Sequence, residues 1–233
     1  MAEQPDELLL EGEIEIRGRM PWSSNVTMLV TLRHDGKERK AVYKPHRGER
    51  PLWDFPEGLY QREVAAYELS SWLGWDLVPA TVVRRDAPLG VGSVQRFVEA
   101  DFEQHYFTLF DDPTTHDQLR RLCVFDLLAN NTDRKSGHCL RDSSDHIWAI
   151  DNGLSFHREF KLRTVIWEFG GEPIPDELVA DVARLCEEGP PPALALLLDT
   201  FEVDALRTRA AAIVAERIFP VDPTGRRYPW PLV

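Results

Sequence analysis

Cysteine is scarce in this sequence of 233 residues, with Cys123, Cys139 and Cys186 as its three members. None of them stands in a CxxC pair, so the sequence predicts neither a disulfide framework nor a thiolate zinc site. The amino-terminal stretch also lacks the basic segment and the long apolar run of a secretory signal. We therefore expect a reducing cytoplasm as the location of the protein.

Positive charge is also in short supply, since 27 Lys and Arg stand against 39 Asp and Glu, which gives a net charge of −12. This balance argues against a nucleic-acid partner and against adhesion to anionic membranes. Long hydrophobic runs are missing as well. The apolar run at residues 193–198 is far too short to span a bilayer, so we expect no integral membrane association.

What is present is typical of a globular protein: 43% hydrophobic and 28% charged residues, in a chain long enough for one large domain or two lobes. The first hundred residues show the alternation of β-strands, interrupted by one helical stretch. Strands are predicted over residues 8–17, 26–33, 39–44, 80–84 and 92–98, and a helix over 59–73. An Asp-Gly pair at 35–36 predicts the turn between the second and third strands.

The remainder of the chain is richer in helical periodicity. Helices are predicted over residues 117–130, 176–187 and 193–217, the last broken near 200–202, and short strands over 139–141 and 147–150. The predicted fold class is α+β. An antiparallel sheet with one helix forms an amino-terminal lobe, residues 1–98, and a mainly helical carboxy-terminal lobe spans residues 99–233.

Two polar features stand out among the amino-terminal strands. One is a loop of small polar residues whose backbone N–H groups suit phosphate oxygens, although a solvated hairpin loop has the same composition: Ser23, Ser24 and Asn25. The other is Lys44, which ends an otherwise apolar strand. A buried lysine needs an anionic partner, such as a phosphate, whereas a lysine at an exposed sheet edge needs none.

A third feature is an acidic residue on the predicted helix 59–73. Glu63 is placed where it could pair with Lys44 and direct the lysine toward a phosphate. Glu68 is a competing candidate and Glu57 a weaker one. The simple alternative is a solvated helix face.

Two acidic loops complete the series. Asp133 and His138 stand five residues apart after a helix, a spacing at which phosphoryl-transfer enzymes use an Asp for the nucleophile's proton and a second residue for metal. Asp151 ends an apolar strand before Asn-Gly, a position that suits metal coordination. Either aspartate could instead cap its own turn. The five features in this order predict a phosphoryl-transfer site more specifically than any one of them.

The local sequences at these positions resemble those of atypical kinases. AIDNGLSF at residues 149–156 is similar to the metal-binding segment of type II phosphatidylinositol 4-kinases. NTDRKSGH at 131–138 resembles their catalytic loop, and VQRFVEA at 94–100 resembles their hinge between lobes. The chain as a whole resembles a family of bacterial proteins related to phosphatidylinositol 3-/4-kinases, over about residues 18–160. HipA-like kinases share the general fold.

This resemblance implies a bilobal protein-kinase-like fold with ATP and a divalent metal, Mg²⁺ or Mn²⁺, in the cleft. Asp133 would be the catalytic-loop aspartate and Asp151 the principal metal ligand. Lys44, paired with Glu63, would hold the phosphates. His138 stands where an asparagine usually binds the metal, and its softer nitrogen favours Mn²⁺ over Mg²⁺.

The resemblance also implies contacts to the rest of the nucleotide. The loop at Ser23, Ser24 and Asn25 would cover the phosphates. The adenine would meet backbone groups of four successive residues: Gln95, Arg96, Phe97 and Val98.

The acceptor is expected to be a hydroxyl group of a soluble protein or small molecule rather than a lipid, because the chain is acidic and has no basic amphipathic helix. Arg158, Lys161 and Arg163 form a basic cluster after Asp151 that could bind an anionic acceptor or pair with acidic surface. Two alternatives stay open: a nucleotide-binding pseudokinase with a regulatory role, motivated by His138, and a nucleotidyltransferase (AMPylase). A metal hydrolase is disfavoured because HxH and HExxH are missing.

Overall fold

A five-stranded antiparallel sheet organises the first part of the molecule, in the order β1-β2-β3-β5-β4. The computed structural model describes residues 5–21, 23 and 25–232. The strands of this sheet are β1 (Glu13–Arg19), β2 (Met28–His34), β3 (Lys37–Pro45), β4 (Thr81–Arg84) and β5 (Gly92–Arg96).

The β2–β3 hairpin shows why this sheet forms. Asp35 and Gly36 both adopt positive φ, 48° and 74°, which matches the twist of a two-residue hairpin turn. The register that follows pairs Val30 with Ala41, and both side chains are buried in the core. Alternation of apolar and polar residues thus fixes which face of the hairpin is covered.

Helix α2 (Leu59–Leu73) covers the sheet and has the bounds that the sequence predicts. It packs against β4 and β5 and contributes Ala65, Ala66 and Leu69 to the core. The helix ends at Gly74, whose φ of 73° is the left-handed conformation that favours glycine at this position.

The first predicted strand, residues 8–17, is wrong in its first half. Residues Glu7–Glu11 form a short helix, α1, and β1 starts only at Glu13. The cause is local: the side chain of Asp6 accepts a hydrogen bond from the N–H of Leu9 at 3.2 Å and caps the helix. Leu8 and Leu9 are thereby buried together, which an alternating strand would not allow.

The second part of the molecule is mainly helical and contains one small two-stranded sheet. Its helices are α3 (Tyr106–Phe110), α4 (His116–Ala129), α5 (Asp176–Glu188), α6 (Pro192–Ala195) and α7 (Thr200–Glu216). The small sheet pairs β6 (Cys139–Arg141) with β7 (Ile147–Ala149). The predicted helix over 193–217 is divided into α6 and α7 because Asp199 and Glu202 form a capping box that starts a new helix.

Two clusters of buried side chains connect these parts. The large core runs from the sheet through α2 into α4, α5 and α7. A smaller cluster of Val98, Leu140 and Trp148 lies where the chain leaves β5 and meets the β6–β7 sheet. None of the helices within the described residues is long and apolar enough to cross a membrane.

Candidate active site

Lys44 lies in a cleft between the large sheet and the helical part. Its Nζ atom donates to the carboxylate of Glu63, on α2, and to Oδ1 of Asp151 at 2.8 Å. Glu63 is buried, whereas the side chain of Asp151 is 53% exposed to the cleft. Three of the predicted site residues are therefore brought together from β3, from α2 and from the segment after β7.

The charges of this cluster support one another. Burial alone would lower the pKa of Lys44, but the carboxylates of Asp151 and Glu63 outweigh it and raise that pKa above its ordinary value. The ammonium of Lys44 in turn holds the pKa of Asp151 well below its usual range. At neutral pH the lysine and the aspartate are consequently both charged.

Glu63, rather than Glu68 or Glu57, is the glutamate that meets Lys44. Its second oxygen accepts a hydrogen bond from the backbone N–H of Asn152 at 3.0 Å, next to Asp151. The chain passes so close that a Cβ at Gly153 would lie 3.2 Å from Glu63 Oε1. Helical periodicity alone could not choose among the three glutamates, because the choice depends on how α2 is seated on the sheet.

Asp133 sits in the loop between α4 and β6. Its N–H donates to the side chain of Asn131 at 2.9 Å, and its Oδ2 lies 3.2 Å from Nζ of Lys135. Burial raises the pKa of Asp133, and the ammonium of Lys135 opposes that shift. Lys135 is a functional candidate that the sequence analysis missed, and its position two residues after Asp133 was the available signal.

His138 reaches the same cluster from the other side. Its Nδ1 accepts the backbone N–H of Lys135 at 3.3 Å, and its Nε2 lies 3.4 Å from Oδ2 of Asp151. Burial lowers the pKa of His138 to about 4, so the ring is neutral at pH 7. A ring whose Nδ1 accepts carries its proton on Nε2. Metal ligation through Nε2 therefore requires that proton to move and the bond to Lys135 to break.

Arg134 is a further residue that the sequence analysis missed. It is completely buried and pairs with Asp126 on α4 at 3.0 Å. Its remaining donors hold the carbonyl of Ile150 at 2.6 Å and the side chain of Asn152 at 2.7 Å, on either side of Asp151. The signal in the sequence was Asp126, a charged residue within the apolar stretch of α4.

The cleft above Lys44 has a volume of about 440 Å³. Its walls include apolar side chains from both parts of the molecule: Met20, Val42, Phe97, Val98, Phe102, Leu140 and Ile150. Lys44, His138 and Asp151 also line it. An apolar cavity with a charged end suits a planar ring that carries an anionic chain.

All four predicted hinge residues, Gln95–Val98, line the cleft, and the backbone N–H groups of two of them are bonded to neighbouring segments. The N–H of Arg96 donates to Ala80 and that of Phe97 to Lys40, and the side chain of Gln95 donates to Thr81. These donors are therefore occupied within the sheet. Val98, the fourth predicted hinge residue, lines the cleft after the last ladder pair of β5.

The predicted phosphate loop is held in place by its own side chains. The hydroxyl of Ser23 bonds to that of Thr27 at 2.7 Å, and Oδ1 of Asn25 accepts the N–H of Arg50 at 2.9 Å. Ser24 lies outside the described residues. Thr27 was not predicted, yet it lines the cleft together with Ser23.

The predicted basic cluster is not a continuous cationic surface. Lys161 lies 3.3 Å from Asp54 and 3.8 Å from Glu159, whereas Arg158 and Arg163 are exposed. A cavity of about 490 Å³ beside this segment mixes cations with four carboxylates: Arg158, Lys161, Asp54, Glu159, Asp199 and Glu202. Its charge alone does not select an anion.

The residues of the cleft fit a divalent cation that takes only some of its ligands from the protein. Across the described ranges, no group of three or more His, Cys, Asp or Glu side chains is arranged to hold a metal by itself. Asp151 offers an accessible carboxylate and His138 a neighbouring nitrogen. Mg²⁺ is commonly bound by one or two carboxylates, with water and substrate phosphates as its other ligands. The residues present fit that mode of binding.

The chain is similar to a known protein by sequence and to solved structures by fold. No family model matches the chain. Protein Rv2133c of Mycobacterium tuberculosis (strain ATCC 25618 / H37Rv) is 37% identical over 262 residues, which cover 96% of this chain and 94% of that protein.

The crystal structure of a Helicobacter pylori proinflammatory kinase, CtkA, aligns with a TM-score of 0.51 and 12% identity over 90% of this chain and 94% of that one. A structure of hydra Fam20 with sugar aligns with a TM-score of 0.49 and 12% identity, over 90% and 87%. The likeness to CtkA confirms the predicted bilobal kinase-like fold. The relation to phosphatidylinositol 3-/4-kinases stays a prediction.

Proposed function

We propose that this chain, which belongs to the same protein family as Rv2133c of Mycobacterium tuberculosis, is an ATP-dependent phosphotransferase that acts on a hydroxyl group. The observation that carries the proposal is the meeting of Lys44 with Glu63 and Asp151. Asp133 lines one small cavity, of about 50 Å³, together with these three residues. This is the set of charges that phosphoryl transfer from a nucleotide requires.

The nucleotide is proposed to lie in the 440 Å³ cleft, with its base between the apolar walls and its phosphates at Lys44. Val98 is the proposed contact of the base, and the loop with Ser23, Asn25 and Thr27 lies on the phosphate side. The proposed boundary between the two lobes lies after Val98, beyond the end of β5, with residues 1–98 assigned to the amino-terminal lobe and residues 99–233 to the carboxy-terminal lobe.

In the proposed transfer, the acceptor oxygen attacks the γ-phosphorus as the bond to the bridging oxygen of the diphosphate breaks. The proton of the acceptor hydroxyl passes to the carboxylate of Asp133. Because burial raises the pKa of Asp133, this carboxylate is a better base than an exposed aspartate. Lys135 beside it and Lys44 supply positive charge where negative charge develops on the phosphoryl oxygens.

Asp151, with His138 beside it, is the proposed holder of Mg²⁺ or Mn²⁺. A metal bound there would neutralise part of the phosphate charge. Glu63 keeps Lys44 directed into the cleft, and Arg134 keeps the backbone on both sides of Asp151 in place.

The proposed acceptor is a soluble protein or a small molecule with a hydroxyl group. The cavity beside Arg158 and Lys161 is a candidate acceptor site, and Arg163 is exposed nearby in sequence. The three free cysteines are consistent with a reducing compartment, and we propose a cytoplasmic location. A relation to phosphatidylinositol 3-/4-kinases is part of this proposal, supported by the segments at 94–100, 131–138 and 149–156.

A second candidate function is a nucleotide-binding pseudokinase. The observation that favours it is His138, which occupies the usual place of an oxygen ligand and is bonded to the backbone of Lys135. Such a protein would bind ATP with metal and transfer nothing.

The proposal is tested by incubating the purified protein with cell extract and ATP that carries its label on the γ-phosphate, and in parallel on the α-phosphate. Label from γ alone supports phosphoryl transfer, and label from α identifies nucleotidyl transfer. Calorimetric binding of Mg·ATP or Mn·ATP without any transfer would favour the pseudokinase. Failure to bind ATP at millimolar concentration with either metal would overturn the nucleotide site altogether.

Variants assign the roles. Lys44→Ala and Asp151→Ala are expected to weaken ATP binding and transfer together, whereas Asp133→Ala is expected to abolish transfer and keep ATP binding. Glu57→Gln is the matched control for Glu63→Gln, because Glu57 is exposed and does not meet Lys44. Wild-type turnover in both aspartate variants would contradict the assignment.

A further inference from the structure

The segment after β3 contacts both the predicted phosphate loop and the first turn of α2. The carbonyl of Gly48 accepts the N–H of Val26 at 3.0 Å, and the N–H of Arg50 donates to Asn25 at 2.9 Å. A Cβ at Gly48 would lie 2.5 Å from Cβ of Val26, so these two segments of the chain approach as closely as their backbones allow. This segment and the loop are therefore one packed unit.

Glu49 lies between Gly48 and Arg50, and its side chain bonds to the start of α2 instead of to the loop. Its Oε2 accepts the N–H of Gly58 at 3.0 Å and its Oε1 accepts the N–H of Tyr60 at 2.9 Å. His46 Nδ1 lies 3.1 Å from the same carboxylate. The side chain of Glu49 is 12% exposed, so these bonds are shielded from water.

Helix α2 depends on this carboxylate for its cap. Its own N-cap residue is Gly58, with a φ of 87° and no side chain to accept a bond. The first N–H groups of a helix have no partner within the helix, and a carboxylate there also interacts favourably with the helix dipole. Glu49 supplies from a distance what a Ser or Asp supplies at an ordinary N-cap.

The same helix carries Glu63 one turn after Tyr60. Glu63 holds Lys44 with one oxygen and the N–H of Asn152 with the other. A shift of the first turn of α2 is thus transmitted to Lys44 and to the segment that contains Asp151.

We propose that Glu49 is a positioning residue of the nucleotide site, which fixes Glu63 and Lys44 in register with the loop at residues 25–27. The inference rests on the proposed function for its meaning, since it assigns the loop and Lys44 to the phosphates. Glu49 itself is not placed in contact with the nucleotide.

The test compares amide hydrogen exchange and ATP affinity in Glu49→Ala, in Glu57→Ala and in wild type. Glu57 is the control because it lies in the same segment and is exposed. In Glu49→Ala the amides of Gly58 and Tyr60 are expected to exchange about fivefold to tenfold faster, the factor that corresponds to a lost helix cap. The decisive amide is that of Asn152, which is remote in sequence and donates to Glu63.

If Glu49 positions Glu63, the Asn152 amide exchanges several-fold faster in Glu49→Ala, and the Kd of Mg·ATP rises about fivefold or more. A role confined to stability would lower Tm, leave the Kd of Mg·ATP unchanged and speed exchange of the Asn152 amide no more than in a variant with the same loss of Tm. Asp181→Ala serves as the destabilised control, since Asp181, on α5, accepts a 2.7 Å hydrogen bond from Nε1 of Trp75, at the end of α2 remote from Glu49.

Faster exchange at Gly58 and Tyr60 with an unchanged Asn152 amide and unchanged ATP affinity would overturn the proposal. The exchange measurement needs no nucleotide. If wild type fails to bind ATP, the proposed function falls while the Asn152 amide still decides whether Glu49 positions Glu63.

Discussion

At the scale of single residues, the site depends on charged side chains that are buried only because another charge meets them. Lys44 with Glu63 is the functional example, and Arg134 with Asp126 is the structural one. The sequence shows that such residues stand in apolar surroundings. It does not show which partner each of them finds, because the partners are far apart in the chain.

The first prediction concerns His138 as a metal ligand. His138→Asn is expected to shift the ratio of Mn²⁺- to Mg²⁺-supported activity toward Mg²⁺, because an amide oxygen is a harder donor than an imidazole nitrogen. The Kd of each metal·ATP complex, measured by calorimetry, is expected to shift in the same direction. An unchanged ratio in both measurements would mean that His138 keeps its bond to the N–H of Lys135 and does not ligate.

The second prediction concerns the buried pair of Arg134 and Asp126. Arg134→Met is expected to lower the free energy of unfolding by about 3–5 kcal/mol, because Asp126 is left as an unpaired charge in the core. The double variant with Asp126→Leu removes that charge and is expected to recover part of the loss. Denaturation in urea measures both.

The affinity of these variants for Mg·ATP separates the effect of Arg134 on stability from its effect on the position of the segment around Asp151. The double variant is expected to bind Mg·ATP more weakly than wild type even where its stability is recovered, because the carbonyl of Ile150 and the side chain of Asn152 have lost their donor. Full recovery of affinity would show that Arg134 contributes only to folding.

At the scale of elements, local signals predicted most of the fold. Helix α2 has the predicted bounds because Gly74 gives an unambiguous end, and the β2–β3 turn follows from Asp35-Gly36. Residues 8–11 were predicted wrongly, since one Asp6 side chain is enough to turn an apolar run into a helix. Helix α3 (Tyr106–Phe110) was not predicted, because five residues are too few to show helical periodicity.

The candidate site was predicted less completely than the elements around it. Lys44, Glu63, His138 and Asp151 come together as the order of motifs suggested. Arg134 and Glu49 were missed, because their contacts form only when the elements are packed, whereas Lys135 was missed although it stands only two residues after Asp133. Ser23 and Asn25 lie beside the cleft as expected, although their side chains are bonded to Thr27 and to the N–H of Arg50.

The third prediction belongs to the turn between β6 and β7. Burial opposes the charge of Asp142, but hydrogen bonds from Ser144, Trp148 and His146 outweigh burial and lower its pKa to about 2. A lowered carboxyl pKa stabilises the folded state above the unfolded pKa of about 3.9, and this contribution is lost as the pH falls toward 2.

Asp142→Asn is therefore expected to lower the free energy of unfolding by about 1 kcal/mol at pH 7, a value discounted because the carboxylate is partly exposed. The difference from wild type should shrink between pH 4 and pH 2. Unfolding curves at a series of pH values measure it, with Asp145→Asn in the same turn as the control. A difference that stays constant over this range would show that the charge of Asp142 is not responsible.

At the scale of the whole molecule, the cleft is where the large sheet and the helical part meet. Val42 and Lys44 line it from the sheet, and Leu140, Ile150 and Asp151 line it from the other part. The ion pair of Lys44 with Asp151 crosses from one side to the other. A ligand that fills this cleft contacts both parts and stabilises their association.

The last prediction uses this geometry. ATP with Mg²⁺ or Mn²⁺ at about 100 times its Kd is expected to stabilise the protein by about 2.7 kcal/mol. For a chain of this length that corresponds to a rise in Tm of about 5–10 °C. Because Asp151 is the proposed holder of the metal, chelation by EDTA should remove most of the rise, as should Lys44→Ala. Asp133→Ala should retain it, since Asp133 acts on the acceptor hydroxyl. A rise that is equal without metal, or that is lost in Asp133→Ala, would contradict the arrangement of the cleft proposed here.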